Sequence, residues 1–167
     1  MPTEPAAATA PGGPYAVPDT AAYLAGRWTI DRTVLDARTG TRGTFHGTAH
    51  FRPETREGSE GAPGVLLHVE EGELTWNGTT TPATRTLRLC PRPDGTAVVT
   101  FADGRPFHDL DLRTGHWTAR HPCAADLYDA EFTVVSPEEW HLRWQVGGPA
   151  KSQVLYSVYR KTVHPGR

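Results

Sequence analysis

Five ionisable or polar side chains share strand faces with large apolar residues, and their types suit proton transfer: Arg85, His108, His121, Asp126 and Tyr128. Side chains alternate along a strand, so a polar group on the same face as Leu, Phe or Trp is aimed at the interior. His108 lies on the face of Leu110 and Leu112, and His121 on that of Trp117, Ala119 and Cys123. Asp126 and Tyr128 share theirs with Ala130, Phe132 and Val134, and Arg85 shares its face with Leu87 and Leu89, while the mostly polar set Phe107, Asp109 and Asp111 takes the face of its strand opposite His108. A histidine is poised near neutrality, an aspartate can orient it or act as base, and a tyrosine can donate to a developing oxyanion. The expected catalytic set is therefore His121, Asp126, Tyr128 and His108. The chemistry expected of it is cofactor-independent acid/base work of the isomerase, cyclase or lyase type on a largely apolar metabolite. Arg85, Trp117, Cys123, Phe132, Trp144 and Tyr156 are expected to line the pocket, and Lys151, one of only two lysines, to close over an acidic group of the ligand.

The same residues admit other readings. A buried histidine bonded to an aspartate and a tyrosine can be a satisfied network that fixes strand register, with Arg85 paired to Asp126. A carrier or sensor of a small hydrophobic ligand would use the same pocket without catalysis. His121-x-Cys123 with Asp126 nearby places metal-ligand types on one face, but no HExxH or paired CxxC accompanies it, and His46 and His50 lie opposite Phe45, Ala49 and Phe51. The expected site contains no metal and no cofactor. Cys123 and His121 sit two positions apart on one strand, about 6–7 Å by strand rise, too far for a nucleophile and its base.

These side chains need a scaffold. The chain has 167 residues, 17 basic and 19 acidic, a formal charge of −2, and so no basic footprint for nucleic acid or an anionic membrane. No stretch approaches the roughly 18 apolar residues of a membrane span, and the expected compartment is the cytoplasm. Residues 1–19, rich in Ala, Pro, Thr and Gly, read as a flexible tail, 20–162 as one domain, and 163–167 as a flexible end. Asp19 followed by Thr20-Ala21-Ala22-Tyr23-Leu24 predicts a short capped helix. From Trp28 onward, short alternating runs recur between Gly, Pro, Asn and Asp, with Asn77-Gly78, Asp94-Gly95 and Asp103-Gly104 as hairpin turns. About nine or ten antiparallel strands in up-and-down order follow, all-β, and closure into a barrel would hide their edges. The polar stretch 53–63 reads as an exposed loop or flap.

Gly26-Arg27-Trp28 after a short helix, with Arg160 in the last strand, resembles the calycin superfamily of lipocalin-like barrels. That resemblance implies Trp28 on the first strand, covered by Arg160 at the closed end. Some calycin-like barrels hold haem through an inward histidine, but this chain lacks their glycine-rich start and terminal histidine pattern. Phe101-Ala102-Asp103-Gly104-Arg105-Pro106-Phe107-His108, His121-x-Cys123-x-x-Asp126-x-Tyr128 and Trp144-x-Val146-x-Gly148-Pro149-x-Lys151 resemble an uncharacterised family catalogued as a domain of unknown function. The resemblance implies a calycin-like barrel and no particular activity.

Overall fold

Asp19 accepts a hydrogen bond from the Ala22 amide (2.9 Å) and so caps α1 (Thr20–Leu24), which leads into the first strand through Gly26 at φ 110°. A side chain there would be strained, and a β-carbon would stand 2.9 Å from the Lys161 amine. The computed structural model describes residues 14–55 and 64–162. After α1 come β1 (Gly26–Asp36), β2 (Arg42–Pro53), β3 (Leu66–Trp76), β4 (Thr79–Pro91), β5 (Ala97–Phe101), β6 (Pro106–Leu110), β7 (His116–Cys123), β8 (Asp126–Ser136), β9 (Glu139–Gly147) and β10 (Ser152–Lys161). They form one antiparallel sheet ordered β6-β5-β4-β3-β2-β1-β10-β9-β8-β7, with every sequence neighbour paired except β6 and β7. The last strand pairs with the first, Ile30 opposite Tyr159, and the sheet curls into a nearly closed barrel.

The curl needs close approaches between strands. Gly47 and Gly72 face each other across β2 and β3, and a β-carbon on Gly72 would collide with the His46 carbonyl and the Phe45 ring. Glycine is the residue that permits such a bend. At the other junction, β6 and β7 exchange no backbone ladder, and both carry a proline, Pro106 and Pro122, as edge strands commonly do. The Trp117 indole N–H crosses this seam to the Asp109 carbonyl (2.8 Å).

One end of the barrel is plugged. The Thr20 amide donates to the Gly95 carbonyl (2.9 Å), the Leu112 amide donates to Thr20 Oγ1 (3.0 Å), and the Trp28 indole donates to the Leu24 carbonyl (2.8 Å). Leu24, Trp28, Leu112, Val134 and Trp140 pack the space beneath α1. The cation over Trp28 is Lys161, its amine 4.7 Å from the ring centroid and bonded to the Ala25 carbonyl (2.7 Å). Arg160, expected in that position, points outward to Glu139 (3.0 Å) and Asp31 (3.4 Å), because Tyr159 takes the inward position beside it. Residues 14–19, expected as part of the tail, lie against the barrel: the Tyr15 amide donates to the Val134 carbonyl (2.9 Å) and Val17 is buried. Residues 1–13 and 163–167 and most of the expected flap, 56–63, lie outside the described residues.

Candidate functional site

At the centre of the barrel a carboxylate is held by four donor groups. Glu70, inward on β3, is fully buried and accepts from Arg32 Nη2 (3.0 and 3.3 Å), Arg85 Nη2 (3.3 Å), His68 Nε2 (3.1 Å) and the Tyr159 hydroxyl (2.5 Å). Register brings them together: Arg85 is opposite Glu70 on β4, while Arg32 and Tyr159 project from the paired strands β1 and β10. Arg32 also donates through Nε to Ser157 Oγ (2.7 Å) and through Nη2 to the Tyr159 hydroxyl (3.0 Å), so its Nε and Nη2 are both committed.

Burial by itself would raise the Glu70 pKa. The hydrogen bond from His68 and the charges of Arg85 and Arg32 overcome that and hold its carboxyl well below the usual range. Burial also pushes the His68 pKa down against the pull of Glu70, so its ring is neutral with the proton on Nε2. Burial, then the Glu70 charge, pushes the Tyr159 phenol far up, which keeps it a neutral donor. Two guanidinium groups therefore face one carboxylate, and one positive charge is left over.

Two interior spaces meet at Arg85. The larger, about 440 Å³, opens at the end away from α1 and has Arg32, Glu70 and Arg85 at its floor and Val34, Phe45, Leu74, Trp76 and Leu155 on its walls. The smaller, about 30 Å³, has room for one water and lies among Phe51, His68, His108, Phe132, Trp140 and Trp144. Trp140 is buried and its indole N–H has no hydrogen-bond partner among the described residues. Arg88 at the edge of this space is committed to Glu54 (2.7 Å). Of the two arginines on Glu70, Arg85 has a side chain 41% exposed and Arg32 one only 11% exposed, so Arg85 is the one facing the open cleft.

The residues expected from sequence are distributed as follows. Arg85, His108, Phe132 and Trp144 line the interior. His108 donates through Nδ1 to the Asp109 carbonyl (2.7 Å), since a carbonyl can only accept, and burial lowers its pKa; its Nε2 is a bare acceptor. His121 and Tyr128 sit towards the open end in an aromatic cluster, with His121 5.0 Å from Phe107 and 6.3 Å from Tyr128 between ring centroids. Asp126 pairs with neither histidine nor Arg85 but with Lys151 (3.5 Å), in the hairpin region at that end. Trp117 fills the β6–β7 seam, and Cys123 is exposed. Tyr156, expected in the pocket wall, is 40% exposed on the outer surface, where its hydroxyl meets His141 Nδ1 (2.8 Å). Phe107, expected to face outward, stacks on Trp144 (5.3 Å) and Phe101 (4.5 Å), because the ladder slips between Val99 and Thr100 and turns both Phe107 and His108 inward. Among the described residues no three His, Cys, Asp or Glu side chains converge as metal ligands.

Sequence reasoning missed Arg32, Glu70, His68 and Tyr159. Arg32 carried a usable signal, sharing a face with Trp28, Ile30 and Val34. Glu70 did not: both faces of Leu66–Trp76 mix apolar and charged residues, so alternation cannot say which points in.

The chain belongs to a family of unknown function, DUF6314, whose match spans residues 24–161. In structure it is similar to the S-type phycobiliprotein lyase CPES of Guillardia theta, at 9% identity over 86% of this chain and 91% of that one, with a TM-score of 0.62. It also resembles a redesigned β-barrel, mFAP0, bound to DFHBI, at 18% identity over 83% of this chain and 99% of that one, with a TM-score of 0.44. A protein of the DUF3598 family from Nostoc punctiforme is 9% identical over 86% of this chain and 49% of that one, with a TM-score of 0.43. Identities this low speak to fold alone, and the fold is the calycin-like barrel expected. A comparison with curated proteins gives no match.

Proposed function

We propose that this barrel binds a small, largely apolar molecule in the cleft at its open end. The observation that carries the reading is the cleft itself: about 440 Å³, within the usual range of ligand sites, with apolar walls and its charged groups gathered at the floor. A protein built only to be stable gains nothing from leaving such walls uncovered, since filling them with side chains would add packing. The Glu70 network favours binding over proton transfer through these groups. A carboxylate saturated by donors and held ionised is a weak base, and a phenol whose pKa is raised is a weak acid.

The test is a titration with N-phenyl-1-naphthylamine, a neutral apolar fluorophore, alongside native and denatured masses of the purified protein. Saturable binding near one molecule per chain is expected. In Leu74→Trp, which fills the cleft, it falls at least tenfold while the melting temperature holds. Absence of saturable binding, or binding undiminished in that variant, overturns the reading.

A second reading rests on His108. Its Nδ1–H is fixed by the Asp109 carbonyl, leaving a neutral Nε2 in the one-water space that Arg85 also lines. A histidine so fixed can accept a proton through one water, and an adjacent guanidinium can stabilise the anion formed. This is the cofactor-free isomerase, cyclase or lyase chemistry expected from the sequence, with His121 and Tyr128 closer to the mouth. A structural neighbour named as a phycobiliprotein lyase, CPES, has a similar barrel, which is compatible with this reading. His108→Gln separates the two readings: a catalyst loses turnover and keeps its ligand, whereas a carrier loses nothing but a fraction of its affinity.

A further inference from the structure

The charge balance at the floor of the cleft defines the ligand more narrowly. Arg32 and Arg85 both reach Glu70, and no second carboxylate joins them there among the described residues. His68 and Tyr159 complete the shell without adding charge. Arg32 is enclosed, with its donors divided among Glu70, Ser157 and Tyr159. Arg85 is different: it spends Nη2 alone on Glu70, at 3.3 Å, and its side chain is open to the cleft. A guanidinium has five N–H donors in a planar fork, so Arg85 has donors to spare at the point where the two interior spaces meet.

We infer that the ligand is an amphipathic carboxylic acid, its carboxylate paired with Arg85 at the floor and its apolar body against Val34, Leu74, Trp76 and Leu155. This rests on the small-molecule reading above and extends it to a substrate class. A carboxylate matches the single excess charge, whereas a phosphate dianion would leave a negative charge uncompensated in an apolar enclosure. An amine would meet the surplus positive charge at the floor and be repelled. Gln153, also in the cleft lining, supplies an amide that a second ligand oxygen could use.

Three matched probes test this on the intact protein: 2-naphthylacetic acid, 2-(2-naphthyl)ethanol and 2-(2-naphthyl)ethylamine. Binding is read by energy transfer from tryptophan at pH 7. A charge-assisted hydrogen bond is worth roughly 10- to 100-fold in affinity, so the acid should bind at least about tenfold tighter than the alcohol, and the amine most weakly. Arg85→Met should abolish the advantage of the acid over the alcohol, and Arg85→Lys should restore part of that preference. Equal binding of acid and alcohol by the native protein, or a preference for the amine, overturns the inference and leaves the apolar cleft standing. Failure of all three at millimolar concentration overturns the inference and the small-molecule reading together. The comparison within the native protein does not depend on any variant folding.

Discussion

Glu70 is the residue on which the interior depends. Its burial is sustained only by the groups around it, and a buried ion pair broken on one side costs about 3–5 kcal/mol because the remaining charge is stranded. Glu70→Gln leaves Arg32 enclosed without a counter-charge, so a loss of about 3 kcal/mol or more in urea denaturation at pH 7 is expected. The pH dependence gives a second check. The folded pKa of Glu70 lies below its ordinary 4.5, so its stabilisation is complete above that value and fades as pH falls through the folded value. The native protein should lose stability faster than Glu70→Gln below pH 4.5, and the two curves should converge in acid. Parallel curves would mean that Glu70 is not held ionised. His108 works in the same direction: burial depresses its pKa below 6.5, so the folded state takes up its proton late and stability rises with pH up to that value.

Strand alternation explains both what the sequence revealed about orientation and where it misled. On β9, Trp140, Leu142, Trp144 and Val146 form an unambiguous inward face. On β10 the inward face carries Gln153, Leu155, Ser157 and Tyr159, whereas the outward one carries Val154, Tyr156, Val158 and Arg160. Both faces there mix apolar and polar residues, because the inward side serves Arg32 and Glu70, so alternation could not separate Tyr156 from Tyr159. The same alternation decides between the two cations at the strand's end. Lys161→Met removes both a cation over Trp28 and a hydrogen bond to Ala25, and should cost about 1–2 kcal/mol. Arg160→Gln removes only exposed pairs and should cost less than about 1 kcal/mol by the same denaturation assay. A larger loss from Arg160 would return the closing role to arginine, as the resemblance had implied.

For the whole molecule, turn signals and alternating runs together carried the strand order. Asn77-Gly78 and Asp103-Gly104 place positive-φ residues between β3 and β4 and between β5 and β6, and Asp94-Gly95 between β4 and β5, so these hairpins were legible directly, and with the alternating runs they led to about nine or ten strands in up-and-down order against the ten observed. The polar heart of the barrel was hidden for the opposite reason. Its members come from β1, β3, β4 and β10, which are distant in sequence, and only closure of β10 onto β1 gathers them. The seam between β6 and β7 has a consequence for how this ring yields. Everywhere else a strand is stitched to neighbours on both sides, but here the ring is fastened by little more than an indole clasping a carbonyl. Deuterium should therefore enter the non-proline amides of Pro106–Leu110 and His116–Cys123 well before those of Gly26–Asp36 and Ser152–Lys161, at a free energy below that of global unfolding. The barrel would then breathe like a cuff with one button, parting lengthwise along a fixed line while its far wall stays shut.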